Sequence, residues 1–241
     1  MSGAVRIPWL GDAPESPFPP THLALEHPNG LLAAGGDLSP ERLLNAYRHG
    51  IFPWYSEGDP ILWWSPAPRC LIYPEHVHLS RRTKRRFNTG RYRLTLNNAF
   101  ERVIHECAES RAQNEGTWIT NEMEAAYVQM HRMGHAHSLE VWLGDELAGG
   151  IYGLAIGSVF FGESMFSAQT DGSKIALVAL CKLLATYGFL FLDCQVGNPH
   201  LYRMGAVDVA RQTFEKKLHA GNAEPDRFSV DLAGEINFER W

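Results

Sequence analysis

The chain has 241 residues, 45% hydrophobic and 11% aromatic, with a formal charge of −5 at pH 7. That composition excludes a disordered acidic tail, a collagen-like repeat and a disulfide-stapled mini-protein. The length suits one large domain or two modest ones, and the mild acidity taken alone speaks against a nucleic-acid partner.

Met1 to Pro20 holds five prolines and no continuous apolar run, so a secretory signal is not expected. Gly35-Gly36-Asp37-Leu38-Ser39-Pro40-Glu41 reads as a loop entering a helix. Ser39 fits the N-cap, Pro40 the first helical position, where a missing N–H costs nothing, and Gly50 the left-handed position past the end. Leu43, Leu44, Ala46 and Tyr47 then share one face. Three of the seven tryptophans follow within Phe52-Pro53-Trp54-Tyr55 and Ile61-Leu62-Trp63-Trp64-Ser65-Pro66, more than a connecting loop needs.

Between His76 and Phe100 there is no carboxylate, while Arg81, Arg82, Lys84, Arg85, Arg86, Arg91 and Arg93 place seven of the 22 Lys and Arg within thirteen residues. Such a patch neutralises phosphates, and nearby tyrosine and phenylalanine can stack on bases. The alternative is a solvated face that balances acidic neighbours.

Helices are expected over Asn97–Cys107 and Asn121–Met133, the second with Met123, Ala126, Tyr127 and Met130 on one stripe. Ser138–Leu143, a Gly144-Asp145 turn, Leu147–Ile156 and Ser158–Phe161 read as an antiparallel set of strands. Ser173–Tyr187 reads as an amphipathic helix stopped by Gly188, and Phe189–Val196 as an apolar strand. Strand, helix and strand in that order imply a right-handed crossover on a mixed sheet. Ile175–Leu192 is interrupted by Lys182 and Gly188, so no membrane span is expected. Cys70, Cys107, Cys181 and Cys194 form no C-x-x-C pair, which points to a reducing, cytoplasmic compartment.

Alternation along Phe189–Val196 puts Phe189, Phe191, Asp193 and Gln195 on one face, with Asp193 and Gln195 about 6 to 7 Å apart. An acid beside an amide can hold and polarise an amine; the alternative is an ordinary strand end that meets solvent. In Gly162-Glu163-Ser164-Met165-Phe166-Ser167, Glu163 is a carboxylate among apolar and aromatic residues, suited to gripping a cationic amine or a ribose hydroxyl. Ser164 lacks the Gly-x-Ser-x-Gly frame of a hydrolase nucleophile. His131, His135 and His137, and His76 with His78, lack an accompanying cysteine pair or H-E-x-x-H pattern, so no metal is expected. No phosphate-binding glycine motif is present. Gln169-Thr-Asp-Gly172-Ser-Lys174 approaches a coenzyme A loop, but Lys174 replaces its final small residue.

Asn29-Gly-Leu-Leu-Ala-Ala-Gly-Gly-Asp-Leu-Ser-Pro40, Gly50-Ile-Phe-Pro-Trp54, Ile61-Leu-Trp-Trp-Ser-Pro66, Glu115-Gly-Thr-Trp-Ile-Thr120, Gly134-His-Ala-His-Ser138, Gly162-Glu-Ser-Met-Phe-Ser167 and Asp193-Cys-Gln-Val196 closely resemble the leucyl/phenylalanyl-tRNA-protein transferase family, in order from about residue 27 to Ala206. The resemblance implies an α+β protein: a small N-terminal domain over 1–69, then a GNAT-like mixed sheet flanked by helices over 70–241. It implies transfer of Leu, Phe or Met from aminoacyl-tRNA to proteins that begin with Arg or Lys, marking them for degradation; aminolysis of an already activated ester needs no cofactor or metal, and a monomer is expected because the composition demands no partner copy. Asp193 and Gln195 fall on the family's catalytic pair. Trp54 and Trp118 map around the 3′-aminoacyl-adenosine, with Gly162, Glu163, Ser164 and Asn198 among the substrate contacts and Met165 and Phe166 shaping an apolar pocket. Arg81, Arg82, Lys84, Arg85 and Arg86 would hold the tRNA. Tyr202-Arg203-Met204 departs from the family's usual serine-containing stretch. The competing readings are a coenzyme A-dependent acetyltransferase and a non-enzymatic RNA-binding module.

Overall fold

Hydrophobic alternation and turn residues divide the chain between two sheets. The structure, a computed structural model, describes residues 7–89, 91–112, 119–229 and 231–238. In chain order it runs β1 (Trp9–Leu10), β2 (Leu31–Gly35), α1 (Pro40–Arg48), β3 (Phe52–Pro53), β4 (Leu62–Trp64), β5 (Arg69–Ile72) and α2 (Arg81–Phe87). Then come β6 (Tyr92–Leu96), α3 (Phe100–Ala112), α4 (Asn121–Arg132), β7 (Ala136–Leu143), β8 (Glu146–Ile156), β9 (Val159–Ser167) and α5 (Gly172–Thr186). The chain continues with β10 (Phe191–Asp193), α6 (Pro199–Arg203), β11 (Val207–Val209), α7 (Arg211–Asn222) and β12 (Gly234–Ile236).

Strands β1-β2-β4-β3 form a small sheet and β11-β5-β10-β9-β8-β7-β6-β12 a large one. Among the described residues only β9 and β10 pair in parallel in the large sheet, and α5 connects them. The mixed sheet flanked by helices, with a smaller N-terminal sheet, is the α+β architecture that the sequence implies. One core joins Tyr47 and Trp63 of the small sheet's side to Tyr127 and Phe161 of the large sheet's side, and a second surrounds α5 on the opposite face. Residues before Arg69 therefore supply one side of a core that later residues complete. No helix among the described residues is long and apolar enough to cross a membrane.

The caps behave as local chemistry dictates. The Ser39 hydroxyl accepts the Arg42 N–H, Pro40 begins α1, and Gly50 at φ 72° carries the chain past its end. Thr120 caps α4 in the same way.

Four expectations are corrected. The helix expected from Asn97 begins at Phe100 and runs to Ala112. Asn97 is left-handed at φ 58°, and the Glu140 carboxylate accepts the N–H groups of Asn98 and Ala99, which fixes the start one turn later. Helix α5, expected to be amphipathic, buries ten of its fifteen residues because it is the centre of a core. The strand expected to end at Phe161 continues to Ser167, paired with β8 throughout. The strand expected over Phe189–Val196 is three residues long, because Gln195 turns left-handed at φ 57°.

Candidate active site

Strand β9 brings a carboxylate into the molecule through an irregularity in its pairing. Gly153 faces Gly162 and Tyr152 faces Ser164, so Glu163 is an extra residue, a β-bulge. The bulge turns both Glu163 and Ser164 toward the α3 and α4 side. Tyr47 of α1 and Tyr127 of α4, which pattern as core residues, place their hydroxyls 2.7 and 3.0 Å from the two Glu163 oxygens and also contact each other. Three mutual contacts need three protons. Two tyrosines supply two, so the ring closes fully when Glu163 carries the third. Burial accordingly pushes Glu163 up to about 7, although the tyrosine hydrogen bonds and Arg69 pull it down.

Glu163 Oε1 also accepts a bond from Gln195 Nε2 at 3.4 Å. That bond uses the amide nitrogen and leaves the Gln195 side-chain carbonyl available as an acceptor. Gln195 and Asp193 do not share the expected strand face. Asp193 is fully buried, and its Oδ1 accepts the backbone N–H of Gln195 at 2.9 Å, which holds the left-handed turn. The same carboxylate receives Arg69 at 2.9, 3.1 and 2.8 Å. Arg69, also fully buried, donates to the Gly50 carbonyl and lies between the Phe52 and Phe214 rings. Asp193 thus touches Gln195 through its backbone, while the carboxylate that meets the Gln195 side chain is Glu163.

These groups border a cavity of about 470 Å³ that brings together Trp54, Gly162, Glu163, Ser164, Met165, Gln195 and Asn198. Ile151, Leu177, Leu192 and Leu201 make its apolar wall. Trp54 is 45% exposed and tilts against Trp64, whose indole N–H donates to the Trp54 carbonyl. Two residues are not in the cavity wall: Asp193 lies beneath it, and Phe166 is buried in the core on the α3 side of the sheet, near Val103 at Gly150. Met165 and Phe166 are neighbours in a strand and so point to opposite faces. Trp118 lies outside the described residues. Cys194 borders the cavity, but a hydrogen bond with Cys70 and burial hold its thiol well above the usual range, so it supplies no nucleophile.

The basic residues Arg81, Arg82, Lys84, Arg85 and Arg86 form α2, with the first four exposed. An acid that is distant in sequence reaches them: Arg86 lies 3.7 Å from Asp171, which also pairs with Lys174 at 2.7 Å. Burial raises Asp171, but Lys174, Arg86 and Arg82 outweigh it and lower it overall. Burial first, then Lys174 and Arg203, lower His200. Positive charge therefore runs from α2 past the start of α5 to α6 at the cavity. Among the described residues no group of three His, Cys, Asp or Glu could hold a metal ion.

Sequence reasoning missed Arg69, Tyr47, Tyr127 and Arg111, whose Nε donates to Ser164 Oγ at 2.9 Å. Arg69 had a signal: a cation heading the apolar run Cys70-Leu71-Ile72.

An apolar cavity with an exposed indole, an anchored amide and a cationic approach has the make-up of a group-transfer enzyme with a nucleic-acid-linked ligand. The leucyl/phenylalanyl-tRNA protein transferase model matches residues 71–219, and the model for that family's N-terminal domain matches residues 36–67. The chain is 49% identical over 225 residues to the leucyl/phenylalanyl-tRNA–protein transferase of Idiomarina loihiensis, covering 91% of this chain and 95% of that protein. It is 56% identical over 206 residues to that of Xanthomonas euvesicatoria, covering 85% and 82%. The chain belongs to the leucyl/phenylalanyl-tRNA protein transferase family and is an aminoacyltransferase. Among solved structures, L-PGS from Bacillus licheniformis aligns at a TM-score of 0.40 and 10% identity, over 69% of this chain and 53% of that one.

Proposed function

We propose that this chain moves Leu, Phe or Met from the 3′ end of an aminoacyl-tRNA to the α-amino group of proteins that begin with Arg or Lys, marking them for degradation. The observation that carries the reading is the cavity itself, where the Gln195 amide, Glu163 and an apolar wall meet beside Trp54. The wall made by Ile151, Met165, Leu177 and Leu192 receives an apolar donor side chain. Trp54 stacks on the terminal adenosine, and the resemblance gives Trp118 the same task. Arg81, Arg82, Lys84, Arg85 and Arg86 take the tRNA phosphates, and the aromatic front over 1–69 forms one lip of the donor site.

The donor ester is already activated, and its aminolysis needs no nucleotide. An α-amine with a pKa near 8 must lose a proton to attack. The Gln195 carbonyl accepts a hydrogen bond from the neutral amine and aims its lone pair at the ester carbon. Glu163 fixes the Gln195 side chain through Nε2, and Asp193 fixes its backbone, so Asp193 is a positioning residue held in turn by Arg69. The C–N bond forms, the C–O bond to the ribose breaks, and the amine's proton leaves on the 3′-hydroxyl. Holding ester and amine together supplies much of the rate.

The test is transfer of labelled leucine from leucyl-tRNA to a peptide that begins with Arg and to one that begins with Ala. Transfer to the first alone is expected. Transfer to both, or to neither, overturns the reading.

A further inference from the structure

A basic acceptor side chain needs a carboxylate, and the two that touch Gln195 are committed. Asp193 is saturated by Arg69 and the Gln195 N–H, and Glu163 is closed in by two tyrosines and the Gln195 amide. Asp208 is differently placed. It stands opposite Cys70 across the β11–β5 pair, and Cys70 is bonded in turn to Cys194 and Gln195 of the turn that follows β10. Two strand spacings separate Asp208 from that turn, about 10 Å, a gap that an extended Arg or Lys side chain and the aspartate can close together.

The Tyr202 hydroxyl donates to Asp208 Oδ2 at 2.9 Å, and both side chains are exposed. Tyr202 also lies over the cavity rim: a Cβ on Gly197, which lines the cavity, would meet the Tyr202 hydroxyl at 2.0 Å. A carboxylate and the face of an aromatic ring thus stand side by side just outside the catalytic turn. That combination accepts a guanidinium or ammonium by ion pairing and by cation–π contact. The next residue, Arg203, acts on His200 together with Lys174, on the side of the basic approach from α2.

We propose that Asp208, with the Tyr202 ring beside it, reads the cationic side chain of the acceptor's first residue. The assignment rests on the proposed transfer to basic N-termini. The test compares peptides that begin with Arg and with citrulline, its neutral isostere, as acceptors of labelled leucine. Asp208→Asn should lower kcat/KM for the Arg peptide about three- to tenfold through KM, leave kcat and the citrulline peptide unchanged, and leave leucyl-tRNA binding and melting temperature as in wild type. Tyr202→Phe removes only the hydroxyl that occupies the carboxylate and should keep or widen the preference for Arg. An Arg-to-citrulline ratio within twofold of wild type in Asp208→Asn, or lost in Tyr202→Phe, overturns the assignment and leaves the enzyme's function standing. A wild-type protein that transfers leucine to neither peptide overturns the function and this assignment together.

Discussion

Arg69→Met is the perturbation whose cost is most directly set by the structure. Both members of the Arg69–Asp193 pair have fully buried side chains, and the guanidinium makes contacts of 2.9, 3.1 and 2.8 Å to the carboxylate. Methionine fills much of the volume between Phe52 and Phe214 but strips the carboxylate of every partner except the Gln195 N–H. Breaking a buried pair from one side costs about 3–5 kcal/mol, because a charge is left in a medium that cannot solvate it. For a chain of this length that is a fall in melting temperature of roughly 6–20 °C. The double variant Arg69→Met/Asp193→Leu removes both charges and should recover most of that stability, since well-packed apolar replacements of a buried pair are close to neutral. It should not recover leucine transfer, because the Gln195 turn loses the carboxylate that accepts its N–H. Urea denaturation followed by tryptophan fluorescence, with labelled-leucine transfer on the same samples, measures both quantities. A single variant within about 1 kcal/mol of wild type, or a double variant no more stable than the single one, refutes the reasoning.

Glu163, pushed up to about 7, gives a pH signature. Ionised, it holds the Gln195 amide more strongly, so transfer should rise with pH through about 7 as well as with the amine near 8, and Glu163→Gln should leave only the second rise; superimposable profiles would remove Glu163 from the mechanism. Because the folded value is raised above the unfolded one, the associated stability is full below about 4.5 and lost as pH rises through about 7, up to about 3 kcal/mol less cavity-water screening. Glu163→Gln should abolish that slope in denaturation measured across this range. Trp54→Ala removes a half-exposed stacking surface and should weaken binding of an aminoacyl-adenosine analogue by about 1–3 kcal/mol, read by titration calorimetry; unchanged affinity would place the base elsewhere. Arg85→Ala should lower the slope of log affinity against log salt for leucyl-tRNA by about one, while Arg86→Ala, already engaged by Asp171, should lower it less; equal slopes would contradict that difference.

The helices that sequence pattern located well were those with local causes. Ser39, Pro40 and Gly50 bound α1, and the stripe of Met123, Ala126, Tyr127 and Met130 is the buried face of α4. The motif residues that converge on the cavity were also legible: the chemistry of Glu163 and Gln195 singled them out on their strands, and Trp54, Met165 and Asn198 were marked by the family resemblance. Where period-two alternation was carried too far, it failed. It aligned Asp193 with Gln195, although Gln195 is itself left-handed and turns out of the strand.

By itself the sequence determined the capped helices, the hairpin strands, the concentrated positive charge and the residue types of the site, since each depends on neighbours within a few positions. Only the tertiary structure decided what those residues are bonded to. Arg69 and Asp193 are 124 positions apart, Tyr47 and Glu163 are 116 apart, and Asp171 meets the basic helix from a distant loop. The raised pKa of Glu163, the commitment of Asp193 and the exposure of Asp208 follow from burial and from partners that strand order brings together, which no local window contains.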